Sequence, residues 1–297
     1  MTFDLKTYLT DKKRFIDDTM ATRWLPPKTT DPTTLYESMH YSLFADGKRI
    51  RPILTLASAD ALGLSNRDVL PIGAALEMIH VFSLIHDDLP AMDNDDLRRG
   101  QPTNHRVYGE ATAILAGDAL LAQAFVPLSE LDMQKFEPRN ILRVIRMVAE
   151  ATGAPGMVGG QVIDMQSEGK TIDLARLKTL HRLKTGALLK CAVVAPAILS
   201  GTPLSIEKSL TAYGEDIGLA FQIKDDILDI EGGDEIGKNI GSDIARGKVT
   251  FPALMGLENA KEAAKKALHR ALSALSCFDE KADPLRALAH FIVERKT

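Results

Sequence analysis

Two short aspartate runs have the spacing to hold divalent cations. Asp225-Asp226-Ile227-Leu228-Asp229 is a D-D-x-x-D run, and in a helix its i, i+4 spacing sets Asp225 and Asp229 one turn apart on one face. Carboxylates so close repel one another unless they hang in solvent or share a cation. Asp87-Asp88-Leu89-Pro90-Ala91-Met92-Asp93 is a D-D-x-x-x-x-D run. A straight helix would turn Asp93 about 120° away from Asp87, so the three could not share an ion in that geometry. Pro90 disfavours helix at Leu89 and just before it, which predicts that the chain leaves the axis and returns Asp93 toward Asp87. Asp95 and Asp96 follow, so an acidic surface loop is the competing reading.

Cations accompany these acids: Gly47-Lys48-Arg49-Ile50-Arg51-Pro52, then Arg98-Arg99-Gly100, Lys184-Thr185, Lys238 and Lys248. Hard oxygen ligands select Mg2+, which typically binds through one or two carboxylates plus substrate phosphates. Acids and bases sharing one site therefore suggest a diphosphate substrate. Ionised, the motif aspartates and a diphosphate of about −3 leave about −3 beside three Mg2+, which Arg98, Lys184 and Lys238 would cancel.

The elements that must position these groups read as helices. Ala, Leu, Ile and Met dominate the periodic segments, and alternating β-branched or aromatic runs are hard to find. Breakers stand at Pro26-Pro27, Gly63, Gly100 with Pro102, Gly153 with Pro155, Gly201 with Pro203, and Gly232 to Gly241. None is long enough for a linker, so the expectation is an all-α fold, one domain of roughly ten helices. Ile72 to Asp88 is apolar nearly all round except for Glu77, His80, Ser83, Asp87 and Asp88, which fall in a stripe of about 140°. Such a stripe on a buried helix predicts a pocket wall. Tyr213 to Asp229 gathers Gly214, Gly218, Gln222, Asp225, Asp226 and Asp229 into about 120°. Its glycines fit either close helix packing or an open groove for an apolar ligand.

The 36 Lys and Arg against 40 Asp and Glu give a net charge of −4, which argues against nucleic acid as a partner. Cys191 and Cys277 lie far apart without a C-x-x-C pattern, which fits neither a disulfide framework nor a structural zinc and suits a cytoplasmic setting. Met1 to Thr30 lacks the apolar stretch of a secretory signal. The longest unbroken apolar run, Cys191 to Leu199, has about half the length of a membrane span, so none is expected.

Together these motifs resemble those of the short-chain trans-prenyltransferases of the polyprenyl synthetase family, most of all the bacterial farnesyl diphosphate synthases, over nearly the whole chain. The resemblance implies a single isoprenoid synthase domain over 1–297, an all-α bundle around a deep central cavity (the class I isoprenoid synthase fold). It implies that Asp87, Asp88 and Asp93 face Asp225, Asp226 and Asp229 and bind three Mg2+. Lys48, Arg51, His80 and Arg99 would hold isopentenyl diphosphate. Arg98, Lys184, Thr185, Gln222, Lys238 and Lys248 would contact the allylic diphosphate or the cation formed from it, with Lys184, Thr185, Gln222 and Lys238 catalytic. Gly159-Gly160-Gln161 and Asp164 also match, as supporting residues. The implied reaction is head-to-tail condensation with dimethylallyl and geranyl diphosphate by ionisation, condensation and proton loss. Bulk at the positions four and five before the first aspartate, here Ser83 and Phe82, would limit the product to fifteen carbons. A homodimer is implied as well. The composition of Glu231 to Gly241 suits a segment that closes over substrate.

The alternatives are a geranylgeranyl diphosphate synthase, a terpene cyclase and a non-catalytic partner subunit. A cyclase usually replaces the second D-D-x-x-D and needs no second basic cluster, and a partner subunit needs neither motif intact. A dinuclear iron bundle would want Glu-x-x-His pairs, whereas the acids here are Asp.

Overall fold

The structure is a computed structural model that describes residues 3–231 and 248–295. Its described residues are all-α apart from one two-stranded hairpin. The helices exceed the roughly ten expected because several, such as Asn104–Tyr108 and Phe125–Ser129, are single turns. By its internal contacts the chain divides into two compact units, Lys6–Leu56 with Ser65–Asp132, and Met1–Leu5 with Ala57–Leu64 and Met133–Thr297.

In the first of these units, α1 (Leu5–Thr19) runs into a π turn at Met20–Trp24, followed by α2 (Thr33–Leu43) and the start of α3 (Ile50–Leu62). Next come α4 (Asn66–Asp87), strands β1 (Leu97–Arg98) and β2 (Gln101–Pro102), then α5 (Asn104–Tyr108), α6 (Glu110–Gln123) and α7 (Phe125–Ser129). Helix α4 is apolar nearly all round because it is packed nearly all round: Ile72, Leu76, Ile79 and Ile85 are all buried, and α6 and α2 lie against it. Gly73 permits its crossing with α3, since a Cβ there would lie 3.0 Å from Pro52 Cα.

Glu77 departs from the expected pocket wall. It is buried at 2% exposure and faces Arg49, whose Nη1 donates to Glu77 Oε1 at 2.9 Å. Arg49 also donates to Asp17 Oδ1 at 2.7 Å and to the Leu43 carbonyl at 2.7 Å. One guanidinium thus ties α1, α2 and α4 together, and Glu77 satisfies a buried charge instead of lining a pocket.

The second unit contains α8 (Pro138–Thr152), α9 (Met157–Ser167), α10 (Leu174–His181), a π turn at Arg182–Gly186, α11 (Ala187–Ser200) and α12 (Leu204–Glu231). After the undescribed residues come α13 (Phe251–Met255), α14 (Leu257–Ala274) and α15 (Asp283–Glu294). Helix α12 packs on α11 and α14. A Cβ at Gly214 would lie 3.0 Å from Lys190 Cα, and one at Gly218 would lie 2.9 Å from Gly186 Cα. Those glycines therefore serve close packing of α12 on α11 and on the π turn before it, not an open groove. One turn apart, Ile223 and Ile227 join Leu177, Phe251, Ala260 and Ala264 in a buried cluster that fixes the roll of α12.

Three helices, Asn66–Asp87, Glu110–Ser129 and Leu174–Ser200, are long and apolar enough to cross a membrane by length and composition. Polar residues interrupt each of them, so none contains an unbroken apolar run of spanning length. In the first and third, 78% and 67% of the apolar window is buried inside the protein, but only 39% in Glu110–Ser129.

Candidate active site

The first aspartate run ends α4 and turns back on itself. Helix stops at Asp87, and the Asp93 N–H donates to the Asp87 carbonyl at 2.8 Å. Asn94, at φ +51, and an Asp95 N–H to Asp88 carbonyl bond of 3.2 Å complete the return. Pro90 therefore stands in a tight turn that brings Asp93 back beside Asp87, as its position predicts.

Arg98 and Arg99 are placed by a feature the sequence reading missed. Strands β1 and β2 pair Arg98 with Gln101, leaving Arg99 and Gly100 as a two-residue loop with φ +53 and +76. Positive φ at both loop residues is the pattern of a type I′ hairpin. The signal was Arg99-Gly100 between strands of two residues each, too brief for periodicity to detect. The hairpin aims Arg98 at Asp88: Nε donates to Oδ1 at 2.8 Å and Oδ2 at 2.9 Å, and Nη2 to Oδ1 at 2.6 Å. Burial pushes the Asp88 carboxyl above its ordinary range, and the Arg98 fork only partly offsets this. Arg99 donates to the Asp46 carbonyl, beside Gly47, where a Cβ would lie 2.4 Å from Arg99 Nη1. The glycine of the G-K-x-x-R-P run thus makes room for that guanidinium.

His80, two turns before Asp87 on α4, is pushed well below the imidazole value of 6.5 by burial, then by Arg51, Arg99, Arg98 and Arg49. It is neutral at pH 7, a hydrogen-bonding group within a cationic field. Lys48 is exposed and Arg51 half-buried at the start of α3. Ser83 turns its hydroxyl back to the His80 carbonyl at 2.8 Å. Phe82 is buried, its ring centroid 4.8 Å from that of His86.

In the second unit, Asp225, Asp226 and Asp229 lie on α12 as the spacing predicts, yet their environments differ. Asp226 is buried and accepts the Phe251 N–H at 2.8 Å, anchoring α13. Asp225 meets the Arg295 guanidinium, whose Cζ stands 4.2 Å over the Phe221 ring. Asp229 and Gln222 are half-buried on the same helix. No motif spacing pointed to Arg295.

Lys184 and Thr185 sit inside the π turn, the kind of local widening that recurs at functional sites. Lys184 Nζ lies 2.5 Å from Asp164 Oδ2, and Lys248 Nζ 3.9 Å from the same oxygen. Gly160 allows this, because a Cβ there would lie 2.2 Å from the Lys184 backbone nitrogen. Lys238, and all but the first residue of the segment from Glu231 to Gly241 read as a closing element, lie outside the described residues.

Carboxylate oxygens in both aspartate runs suit Mg2+ in kind. Among the described residues, no three acidic, histidine or cysteine side chains draw close enough to hold an ion by themselves. Guanidiniums meet part of that charge, Arg98 on Asp88 and Arg295 on Asp225.

A family model described as polyprenyl synthetase matches residues 32–288. The chain is 49% identical over 266 residues to a farnesyl diphosphate synthase of Geobacillus stearothermophilus, covering 89% of this chain and 88% of that one. It is 48% identical over 296 residues to a geranylgeranyl diphosphate synthase of Cyanophora paradoxa, covering 99% and 97%. The crystal structure of an FPP/GFPP synthase from Zymomonas mobilis superposes with a TM-score of 0.86 at 42% identity, covering 97% and 98%.

Proposed function

We infer the reaction from one premise: the chain belongs to the polyprenyl synthetase family and is a short-chain prenyltransferase with the all-α class I isoprenoid synthase fold. The finer reading is a farnesyl diphosphate synthase, which joins isopentenyl diphosphate to dimethylallyl and then to geranyl diphosphate and stops at fifteen carbons. The similar proteins include both farnesyl and geranylgeranyl synthases. What favours fifteen carbons here is Phe82, a buried aromatic five residues before Asp87.

The family uses a divalent metal. In this reading it is Mg2+, for which Asp87, Asp88, Asp93, Asp225, Asp226 and Asp229 would be the ligands and which would supply Lewis-acid stabilisation of the departing diphosphate. Arg98, Lys184, Lys238 and Lys248 set positive charge against that leaving group, so the allylic carbon–oxygen bond ionises to a delocalised cation. Thr185 and Gln222 turn oxygen dipoles toward it. Lys48, Arg51, Arg99 and neutral His80 hold isopentenyl diphosphate so that its double bond attacks the cation. The attack leaves the positive charge on the methyl-bearing carbon of the isopentenyl group, and the carbon next to it loses a proton to the released diphosphate, which restores a double bond. No side-chain nucleophile is required.

The reading extends to a homodimer. Val107, Ile114, Leu115, Phe125 and Val126 expose apolar surface on α5 to α7, with Leu115 at 60%. A second copy of the chain covers it, which sedimentation of the wild type and of Leu115→Glu tests.

The deciding assay supplies Mg2+, isopentenyl diphosphate and dimethylallyl or geranyl diphosphate, and weighs the product. A fifteen-carbon diphosphate is expected. A twenty-carbon main product replaces the farnesyl reading with the geranylgeranyl one. Hydrocarbon from one substrate would mean a cyclase, and no turnover a partner subunit.

A further inference from the structure

Phe82 is held in place from outside its own turn. The rings of Phe82 and His86, one turn apart on α4, meet edge to face with centroids 4.8 Å apart and planes at 73°. His86 is fixed in turn by α6. Its Nε2 lies 3.1 Å from the Ile114 carbonyl oxygen, which only accepts, so Nε2 carries the proton. Asp118 Oδ1 stands 3.8 Å from the same nitrogen. The ring also lies directly over Gly117: a Cβ at that position would be 2.2 Å from Nε2 and 2.5 Å from Cδ2. No larger residue fits at 117 while the imidazole stays where it is. A hydrocarbon side chain at 86 would serve bare packing of α4 on α6 as well, whereas imidazole gives this contact one orientation.

We propose that His86 and Gly117 are positioning residues for product length, with His86 bracing the ring of Phe82 and Gly117 providing the space in which His86 sits. The proposal rests on the reading of Phe82 as the stop to chain growth. It adds two residues, one of them on a different helix, through which that stop is set.

The test is the ratio of twenty- to fifteen-carbon product, measured by mass at saturating isopentenyl diphosphate for the full chain. Being a ratio, it is insensitive to loss of overall rate. Phe82→Ala raises it if the underlying reading holds. His86→Ala then raises it as well, and Gly117→Ala changes it, each by about threefold or more. Adding Gly117→Ala to His86→Ala changes nothing further, because the ring that the new methyl would strike is gone. If either alanine variant fails to fold, His86→Asn keeps a donor for the Ile114 carbonyl without the ring and raises the ratio in its place. A ratio moved by Phe82→Ala but not by the His86 or Gly117 variants overturns the proposal and leaves the reading of Phe82 standing, as do additive effects in the double variant. A ratio that Phe82→Ala leaves unchanged overturns both.

Discussion

Lys184 Nζ stands 2.5 Å from Asp164 Oδ2, and the chain has widened its helix to a π turn where that lysine leaves the backbone. Burial pushes the Asp164 carboxyl up, but the charges of Lys184 and Lys248 and the Lys184 hydrogen bond outweigh it and hold the group below its ordinary range. Asp164 is thus an ionised counter-charge that aims Lys184 without needing to touch substrate. Asp164→Asn should lower kcat by about tenfold to a hundredfold, less than the roughly 10²–10³ lost when a transition-state donor itself is removed. The KM for isopentenyl diphosphate should stay near the wild-type value. Steady-state kinetics with each substrate varied would show the split, and a change confined to KM would count against this role.

Gly160 carries the same geometry at the backbone level. A methyl there would lie 2.2 Å from Lys184 N and 2.6 Å from its Cα, and main chain cannot swing aside as a side-chain tip can. Gly160→Ala should cost about 1–3 kcal/mol, the range for overpacking, and should also lower kcat because the π turn must move. Gly100→Ala is the contrast: φ is +76 there but no atom lies within 4 Å of the new Cβ, so only backbone strain is added. Urea denaturation of both variants, with kcat for each, would separate crowding from strain.

Arg98 and Asp88 give a prediction in pH. Burial already raises the Asp88 pKa while both its oxygens accept from Arg98. Arg98→Gln removes the charge that favours the ionised form, so the Asp88 pKa should climb further. The ionised carboxylate is the form suited to holding a metal ion. The acid limb of kcat/KM should therefore move to higher pH, by on the order of one unit. A pH–rate profile at fixed Mg2+ measures it. An acid limb that stays in place while the plateau falls would mean that Asp88 does not govern that limb.

Much of this was legible in the sequence, because it depended on periodicity and on strong breakers. Asp225 to Asp229 had to share a helical face, and Pro90 had to end α4 near Asp88. What escaped depends on tertiary context. Glu77 looked like part of a pocket-lining stripe, and only the partner Arg49, reached across 28 residues, shows it to be a buried counter-ion. The hairpin under Arg98 has two residues per strand, below what alternation can reveal. The π turn at Arg182–Gly186 inserts a residue into a helix whose hydrophobic pattern continues through it. Gly214 and Gly218 were open between groove and packing, since a glycine states that something approaches closely but not what.

His181 should make stability depend on mildly acidic pH. Burial pushes its pKa from 6.5 down to about 4, with Lys184 and Lys248 adding to the drop and Asp164 opposing it. The folded pKa is below the unfolded one, so between those values the unfolded chain binds more protons. The neutral imidazole's contribution is complete above about pH 6.5 and is progressively lost as pH falls toward 4. Its size should be about 1–3 kcal/mol after allowing for partial solvent access. Asp164, held below the ordinary carboxylate range, stays ionised in the folded protein through that window and adds to the slope only below about pH 5, where the unfolded carboxyl takes up protons. His181 stacks on Phe251 at 5.4 Å with planes at 23°, so His181→Phe keeps a ring in that place while removing the proton. The variant should match the wild type most closely near pH 7 and become the more stable of the two toward pH 4, because its stability slopes less with pH between 4 and 6.5. Urea unfolding at half-unit pH steps makes the comparison, and parallel curves for the two proteins would show that His181 does not titrate in this window.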